Sequence, residues 1–313
     1  MPLAYLYRAM SALAPRIPRR VGLWLFGLPA PLVARLAPSR HAVRDNLRHV
    51  LGAATPESEV RRLVPRVYRN QLMNYFDMFA GPGMRPEEVE RSVRLVDDDE
   101  TAEALAVLES DEGCVVVAPH VGSLDLSARL FTLVASDGLA VVEHLASDPV
   151  FQVVCDLRRQ DGLEIVSADR AGVAILRALR RGHVVFLAAD RDTTDSSVPV
   201  DLFGHPTMLP DGYAQLALRT GAPIVVAASA RRPGGQLEIR CRVIRTPPET
   251  GGEGDGSYGG SGATDSPGDA QRGRAVRALM RQVLGFVEER VREDPDQWVL
   301  FTRVWPEPIP EQQ

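Results

Sequence analysis

The chain has 313 residues, of which 45% are hydrophobic and 25% are charged, and its formal net charge is −5. These values are typical of a packed globular protein that is long enough for one large α/β domain or two small ones. The negative charge argues against nucleic acid as the main partner. The three cysteines lie far apart, so neither a zinc site nor a disulfide framework is expected, and their pattern fits a reducing cytoplasm.

Residues 1–80 are predicted to be helical. Apolar residues recur near the start at the spacing of a helix face, namely Leu3, Leu6, Tyr7 and Met10. The apolar segment 21–37 is interrupted by Pro29, Pro31 and Arg35, so it is too short for a transmembrane helix. No signal-peptide cleavage site follows it. Two interpretations fit this pattern: an amphipathic stretch in a membrane interface, or an ordinary helix that covers the core.

The rest of the chain, residues 81–313, alternates between strand and helix patterns. Within residues 1–80, helices are predicted at 40–50 and 57–79, and Pro65 is expected to kink or divide the second of these helices. Strands are then predicted at 91–96, 114–118, 139–143, 164–167, 184–189, 223–228 and 237–243. Helices are predicted at 100–110, 124–136, 149–161, 170–181, 209–220 and 275–293. This order predicts an α/β fold with a mostly parallel central sheet flanked by helices, one domain overall with residues 1–80 as its helical part.

Residues 247–274 differ in composition from the rest of the chain. They are dominated by Gly, Ser, Asp and Pro, and they contain almost no apolar side chains that folding would bury. A flexible loop is therefore predicted between the sheet and the last helix.

A histidine follows the predicted strand at 114–118 and is the first candidate for a catalytic residue. Pro119 ends the strand, His120 comes next, a Gly122-Ser123 turn follows, and Asp125 lies five residues after the histidine. A carboxylate that holds one ring nitrogen protonated leaves the other free to accept a proton, as a general base requires. An ordinary polar histidine at a strand end is the alternative. The histidines share no metal-ligand spacing, so no metal is expected.

Charged residues also follow the predicted strand at 184–189. Asp190, Arg191 and Asp192 come directly after it. Because ligand groups cluster at the carboxyl ends of parallel strands, these residues and His120 are expected to face the same crevice. A solvated loop with an internal Arg–Asp pair is the alternative.

Two further groups are candidates for substrate binding. Asp201, Phe203 and Gly204 lie in an apolar, partly extended segment, where Phe203 either lines an apolar channel or packs in the core. Arg158 on a predicted helix and Arg170 at the start of the next one suit a phosphate or a thioester carrier. Ordinary surface charge is the alternative for both arginines.

Several of these motifs, in this order, resemble those of one enzyme family. The segment 119–125 resembles the H-x-x-x-x-D/E signature of glycerolipid-type acyltransferases. The other similar segments are 45–47, Arg158, Arg170 with 176–179, 189–192, 200–204 and 295–305. Together they are similar to the bacterial lauroyl/myristoyl lipid A acyltransferases and their actinobacterial relatives, the phosphatidylinositol mannoside acyltransferases. The resemblance covers most of the chain outside the loop 247–274.

The resemblance implies transfer of an acyl chain from acyl-coenzyme A or acyl carrier protein to a hydroxyl group of a membrane glycolipid. A phosphatidylinositol mannoside is the expected acceptor; a lipid A-like, glycerolipid or lysophospholipid acceptor, a thioesterase and an inactive lipid-binding protein are the alternatives. It also implies an apolar acyl groove and a peripheral, monotopic position on the inner leaflet, at the cytoplasmic face of the cell membrane. No cofactor is expected, because acyl-coenzyme A is a substrate.

The resemblance also assigns roles to residues. His120 corresponds to the general base and Asp125 to the signature acid. Independently of the resemblance, Gly122 and Ser123 lie at the start of a predicted helix, so their backbone N–H groups are expected to donate hydrogen bonds to the oxyanion. The expected substrate-binding residues are Arg158, Arg170, Asp190, Arg191, Asp192, Asp201, Phe203, Gly204 and Arg303. The chain departs from the mannoside enzymes at Pro199, where those have a glutamate that supports the histidine. The supporting carboxylate is therefore expected to be Asp125, Asp192 or Asp201.

Overall fold

The computed structural model describes residues 2–135, 137–142, 148–160, 162–167, 171–191, 197–246 and 267–306. Arg170, Asp192 and most of the predicted loop 247–274 lie outside these residues.

The N-terminal part is helical, as predicted. Its helices are α1 (Pro2–Leu13), α2 (Arg19–Gly27), α3 (Ala30–Leu36), α4 (Arg40–Leu51), α5 (Glu57–Ala80) and α6 (Pro86–Ser92). The expected division at Pro65 is wrong, because α5 continues through it. Buried apolar residues lie on both sides of the proline, with Val60 and Leu63 before it and Val67 and Phe76 after it. This continuous packing offsets the hydrogen bond that proline removes.

The remaining chain builds a seven-stranded sheet. Its strands are β1 (Val93–Leu95), β2 (Cys114–Ala118), β3 (Gly138–Val142), β4 (Leu163–Ser167), β5 (Val184–Ala188), β8 (Ile224–Arg231) and β9 (Leu237–Ile244). Their order is β1-β9-β8-β2-β5-β3-β4, and every pairing is parallel except β8 with β9. The predicted α/β fold with a mostly parallel central sheet is thereby confirmed.

Helices cover both faces of this sheet. They are α7 (Asp99–Leu108), α8 (Leu124–Val134), α9 (Pro149–Gln160), α10 (Ala171–Arg180), α11 (Gly212–Thr220) and α12 (Pro267–Glu293). Because side chains alternate along a strand, Val115 and Val117 of β2 pack with α10, α11 and α12. Val116, between them, packs with α7 and α8 on the opposite face. The two faces therefore have separate apolar cores.

Two segments differ from the sequence-based expectation. A hairpin of β6 (Ser197–Leu202) and β7 (His205–Pro210) occupies part of the segment predicted as extended and helical. Phe203 and Gly204 form its turn with φ of 55° and 79°, the positive pair that suits a tight hairpin. Helix α12 begins at Pro267, so the predicted loop 247–274 extends too far; proline is favoured at the first turn of a helix.

Large exposed apolar side chains are concentrated in α1, α2 and α3. Tyr5, Trp24, Leu28, Leu32 and Leu36 are each more than half exposed. In the described part of the chain, no single helix is long and apolar enough to cross a membrane. The segments 19–36 and 40–51 together reach the required length and composition, but they are bent by 96° relative to each other.

Candidate active site

The turn after β2 and the turn after β5 bring His120 and Asp190 together. The two strands are adjacent and parallel, so both chains leave the sheet at the same edge. His120 Nδ1 lies 2.8 Å from Asp190 Oδ1, and the backbone N–H of His120 donates to Asp190 Oδ2 at 2.8 Å. The two strand ends therefore meet as expected, and His120 and Arg191 both line one cavity. Asp190 does not line it, so its predicted role in substrate binding is wrong.

Asp190 is enclosed on all sides. Its side chain is fully buried, and the indole Nε1–H of Trp298 donates to Oδ2 at 2.7 Å. Burial by itself would raise the pKa of Asp190, but attraction to His120 and the hydrogen bonds from His120 and Trp298 lower that pKa below its ordinary value. An ionised Asp190 accepts hydrogen bonds only, so Nδ1 of His120 carries the proton that joins them.

The other ring nitrogen of His120 faces a different environment. The side chain is 27% exposed and borders the main cavity. No described residue hydrogen-bonds its Nε2. A ring with Nδ1–H fixed by a carboxylate and Nε2 accessible is able to accept a proton from a bound hydroxyl group.

Asp125 does not orient His120, so that prediction is wrong. Asp125 lies in the first turn of α8, and its Oδ1 accepts a hydrogen bond from Arg158 Nε on α9 at 2.7 Å. Both residues line the cavity. Their ion pair therefore joins α8 and α9 across the wall of the cavity, while the buried Asp190 supports the histidine.

The backbone donors expected for the oxyanion are already occupied. The N–H of Gly122 donates to the carbonyl of Gln297 at 2.9 Å, and the N–H of Ser123 donates to Ser229 Oγ at 3.1 Å. The prediction of Gly122 and Ser123 as oxyanion donors is therefore wrong. Gly122 has a different role: its φ is +68°, and a Cβ there would overlap the Ser229 carbonyl oxygen.

A network of polar side chains holds the turn that contains Gly122, and it was not among the sequence-based predictions. Asn74 Nδ2 donates to the carbonyl of Gly122 at 2.5 Å, and Asn74 Oδ1 accepts from Arg231 at 2.8 Å. Arg231 also binds Asp77 at 2.8 Å, and Asp77 binds Arg19 of α2 at 2.9 Å. The available signal was Asn74 and Asp77 within an otherwise apolar stretch of the predicted helix 57–79.

An apolar cavity of about 350 Å³ opens beside His120. Its walls include apolar residues of several strands of the sheet and of α8 and α9, among them Val116, Ala118, Ala140, Phe186, Phe131, Phe151 and Val154. Among the residues that the structure describes, its charged lining residues are Asp125, Arg158 and Arg191, besides His120 itself. The cavity therefore has the chemistry of a site for a long apolar chain with a polar head.

The other predicted substrate-binding residues lie outside this cavity. Asp201 is exposed on β6, and Gly204 is exposed in the hairpin turn. Phe203 is buried, with its ring 5.9 Å from Trp298 and 6.2 Å from Trp305, so it packs in the core. Arg303 is half exposed and lies 3.7 Å from Asp45.

Neither metal binding nor a reactive thiol is indicated in the described part of the chain. No group of three or more His, Cys, Asp or Glu side chains there is arranged to hold a metal ion. All three cysteines are buried, and burial raises the pKa of Cys114 and of Cys241 to about 12.

The sequence matches the profile of the family described as "Bacterial lipid A biosynthesis acyltransferase" over residues 2–307. The chain belongs to this family. The resemblance drawn from the motifs is thereby confirmed.

Three curated relatives are named "Phosphatidylinositol mannoside acyltransferase". One from Mycobacterium tuberculosis strain CDC 1551 is 30% identical over 191 residues, which is 58% of each chain. One from strain H37Rv is 34% identical over 124 residues, 38% of this chain and 39% of the relative. One from Mycolicibacterium smegmatis is 27% identical over 223 residues, 70% and 71%. The match thus spans less than two thirds of the length of the first two relatives.

Proposed function

We propose that this protein transfers a fatty acyl chain from acyl-coenzyme A to a sugar hydroxyl of a phosphatidylinositol mannoside, with His120 as general base. The observation that carries the proposal is a histidine fixed by a buried carboxylate at the wall of an apolar cavity. Membership in the acyltransferase family supports the reaction. The names of the three relatives support the acceptor.

The two ring nitrogens of His120 have different roles in the proposed reaction. The acceptor hydroxyl donates its proton to Nε2 while its oxygen attacks the thioester carbonyl carbon, and the C–S bond then breaks. The departing thiolate takes the proton back from the imidazolium. Asp190 stabilises that imidazolium, and general-base catalysis of this kind contributes typically ~10²–10⁴-fold to the rate.

The cavity and its charged lining suit the donor. The acyl chain lies in the apolar part, where each buried methylene contributes about 0.8 kcal/mol. Arg158 and Arg191 supply positive charge beside it, which favours the phosphates of coenzyme A or of an acyl carrier protein. The N–H groups of Leu124 and Asp125 begin α8 and have no intrahelical acceptor, so they replace Gly122 and Ser123 as oxyanion donors in this proposal.

The N-terminal helices suit a peripheral position on the cytoplasmic face of the cell membrane. The exposed side chains of α1–α3 form the apolar surface that would enter the lipid interface. Helix α1 packs against α9, and Phe151 and Val154 of α9 line the cavity. An acceptor in the inner leaflet would therefore lie close to the cavity.

Vesicle flotation tests the membrane position. The double variant Trp24→Ser, Leu28→Ser should reduce binding to anionic vesicles by at least about tenfold, because two apolar side chains are lost from the interface. The control Val173→Ser changes an equally exposed apolar residue on α10. Equal binding by wild type and the double variant would refute the proposed surface.

Acyl transfer by purified protein tests the reaction itself. Radiolabelled acyl-coenzyme A is offered with a phosphatidylinositol mannoside, with a lipid A precursor, or with neither. The wild type should acylate the mannoside, and His120→Ala should lose at least about a hundredfold in rate. The control His183→Ala removes a second histidine of equal exposure, 27%, and should keep full activity. Transfer only to the lipid A precursor would correct the acceptor, and release of free fatty acid alone would identify a thioesterase.

A further inference from the structure

Two side chains of the sheet line the cavity at the level of the strands farthest from the catalytic pair. Leu163 begins β4, Phe186 lies in the middle of β5, and both line the cavity. The parallel register places Leu163 beside Gly138, and Gly138 beside Val184. Val184 precedes Asp190 by six residues, so a strand rise of about 3.3 Å per residue puts Leu163 roughly 20 Å below the level of Asp190.

Gly138 shows how these side chains meet. A Cβ on this glycine would lie 3.0 Å from Leu163 Cδ2 and 3.0 Å from Phe186 Cε2. The Phe186 ring also lies against Phe131 of α8, with 6.2 Å between ring centroids. The floor of the cavity is therefore made of side-chain ends that converge above a residue with no side chain. Its height depends on side-chain size and not on the backbone.

We propose that Leu163 and Phe186 set the maximum length of the acyl chain that the cavity accepts. The inference rests on the proposed function, because it takes the cavity as the acyl site. Each methylene that finds room in an apolar cavity raises affinity by about fourfold. A methylene that reaches the floor adds nothing or overlaps Leu163 and Phe186. Affinity therefore rises with chain length up to a break point and then stops rising.

Three substitutions should change the depth of the cavity, two by increasing it and one by decreasing it. Phe186→Ala and Leu163→Ala lower it, so the break point should move to longer chains. Gly138→Ala adds a Cβ that pushes the ends of both side chains into the cavity, so the break point should move to shorter chains. The matched control is Leu139→Ala, which makes the same Leu-to-Ala change at a fully buried residue on the opposite face of the sheet.

The experiment measures binding, which separates this inference from catalysis. Non-hydrolysable thioether analogues of saturated acyl-coenzyme A, from decanoyl to eicosanoyl, are titrated into each purified protein by calorimetry. In Phe186→Ala, affinity for a chain two carbons beyond the wild-type break point should rise about sixteenfold, whereas Leu139→Ala should keep the wild-type break point.

The possible results distinguish failure of this inference from failure of the proposed function. A break point that stays in place in Phe186→Ala and in Leu163→Ala would overturn the inference and leave the proposed function standing. A wild-type protein whose affinity does not depend on chain length at all would overturn both. If Gly138→Ala does not fold, the two variants that lower the floor still decide the question.

Discussion

The two faces of the central sheet are packed differently, and His120 lies at the edge of the sheet, just after the end of β2. The face covered by α10, α11 and α12 is filled by large, fully buried side chains such as Tyr213, Phe286 and Trp305. The face covered by α8 and α9 contains the cavity. Trp298, which belongs to the filled face, holds Asp190, and Asp190 holds the ring of His120. In the proposed function, the base is thus fixed by the filled face of the sheet, while the cavity on the opposite face provides the space for the acyl chain.

The largest expected difference between the faces concerns their two carboxylates. Asp190→Asn should lower kcat by about 10²–10⁴-fold, because an amide neither stabilises the imidazolium nor fixes the proton on Nδ1. Asp125→Asn should lower it by about tenfold or less, because it removes only a partly exposed ion pair with Arg158. Steady-state kinetics at saturating donor measure both. Equal losses in the two variants would contradict the distinction between the faces.

A second prediction concerns the turn that carries His120. Gly122→Ala should lower the free energy of unfolding by about 3 kcal/mol or more, because the new Cβ adds overlap with Ser229 to the cost of a positive φ. Gly204→Ala is the matched control. Its φ is +79° but nothing lies near the new Cβ, so it should cost only about 1 kcal/mol. Urea unfolding compares the two, and similar losses would mean that the turn is not tightly packed.

A third prediction concerns the indole that reaches Asp190. Trp298→Phe keeps an aromatic ring beside Phe203 but removes one hydrogen bond to a buried carboxylate, which is worth about 1.5–3 kcal/mol. Only part of that energy acts on the transition state, so kcat should fall by about tenfold. Trp305→Phe, which loses a hydrogen bond to the His205 carbonyl, should leave kcat nearly unchanged. An unchanged kcat in Trp298→Phe would show that Trp298 does not help to position Asp190.

The smallest expected effect is on acid stability. The pKa of Asp190 is lowered in the folded protein, so the unfolded chain binds more protons than the folded one as the pH falls below its ordinary value of about 3.9. The stabilisation is therefore complete above that value and is lost as the pH falls through the lowered pKa. Below roughly pH 4, the wild type should lose stability more steeply than Asp190→Asn. Parallel curves of unfolding free energy against pH would contradict the lowered pKa.

The sequence predicted the sheet well because buried parallel strands are short runs of β-branched residues. It failed at β6 and β7, where the turn uses a left-handed Phe203 that sequence patterns do not indicate. It correctly brought the turns of His120 and Asp190 to one edge of the sheet, because both follow strands of that sheet, but it did not predict that Asp190 is buried. It assigned the wrong carboxylate because closeness along the chain was taken as closeness in space. Asp125 is five residues from His120, yet α8 directs it towards Arg158.

The contacts that hold the turn of His120 could not be predicted from the sequence, for a different reason. Asn74 binds a carbonyl 48 residues away, and it binds Arg231, which is 157 residues away. Neither partner follows from local spacing, since the tertiary fold brings Asn74 of α5 to the end of β8 and to the turn after β2.

In the proposed mechanism, Asp190 holds the proton of His120 on Nδ1 and leaves Nε2 as the base. The most direct measurement is the ¹⁵N NMR spectrum of the His120 ring in its neutral form, assigned with the variant His120→Ala. We expect a protonated Nδ1 and an unprotonated Nε2, with this preference lost in Asp190→Asn and kept in Asp125→Asn. A proton on Nε2 in the wild type, or loss of the preference in Asp125→Asn alone, would contradict it.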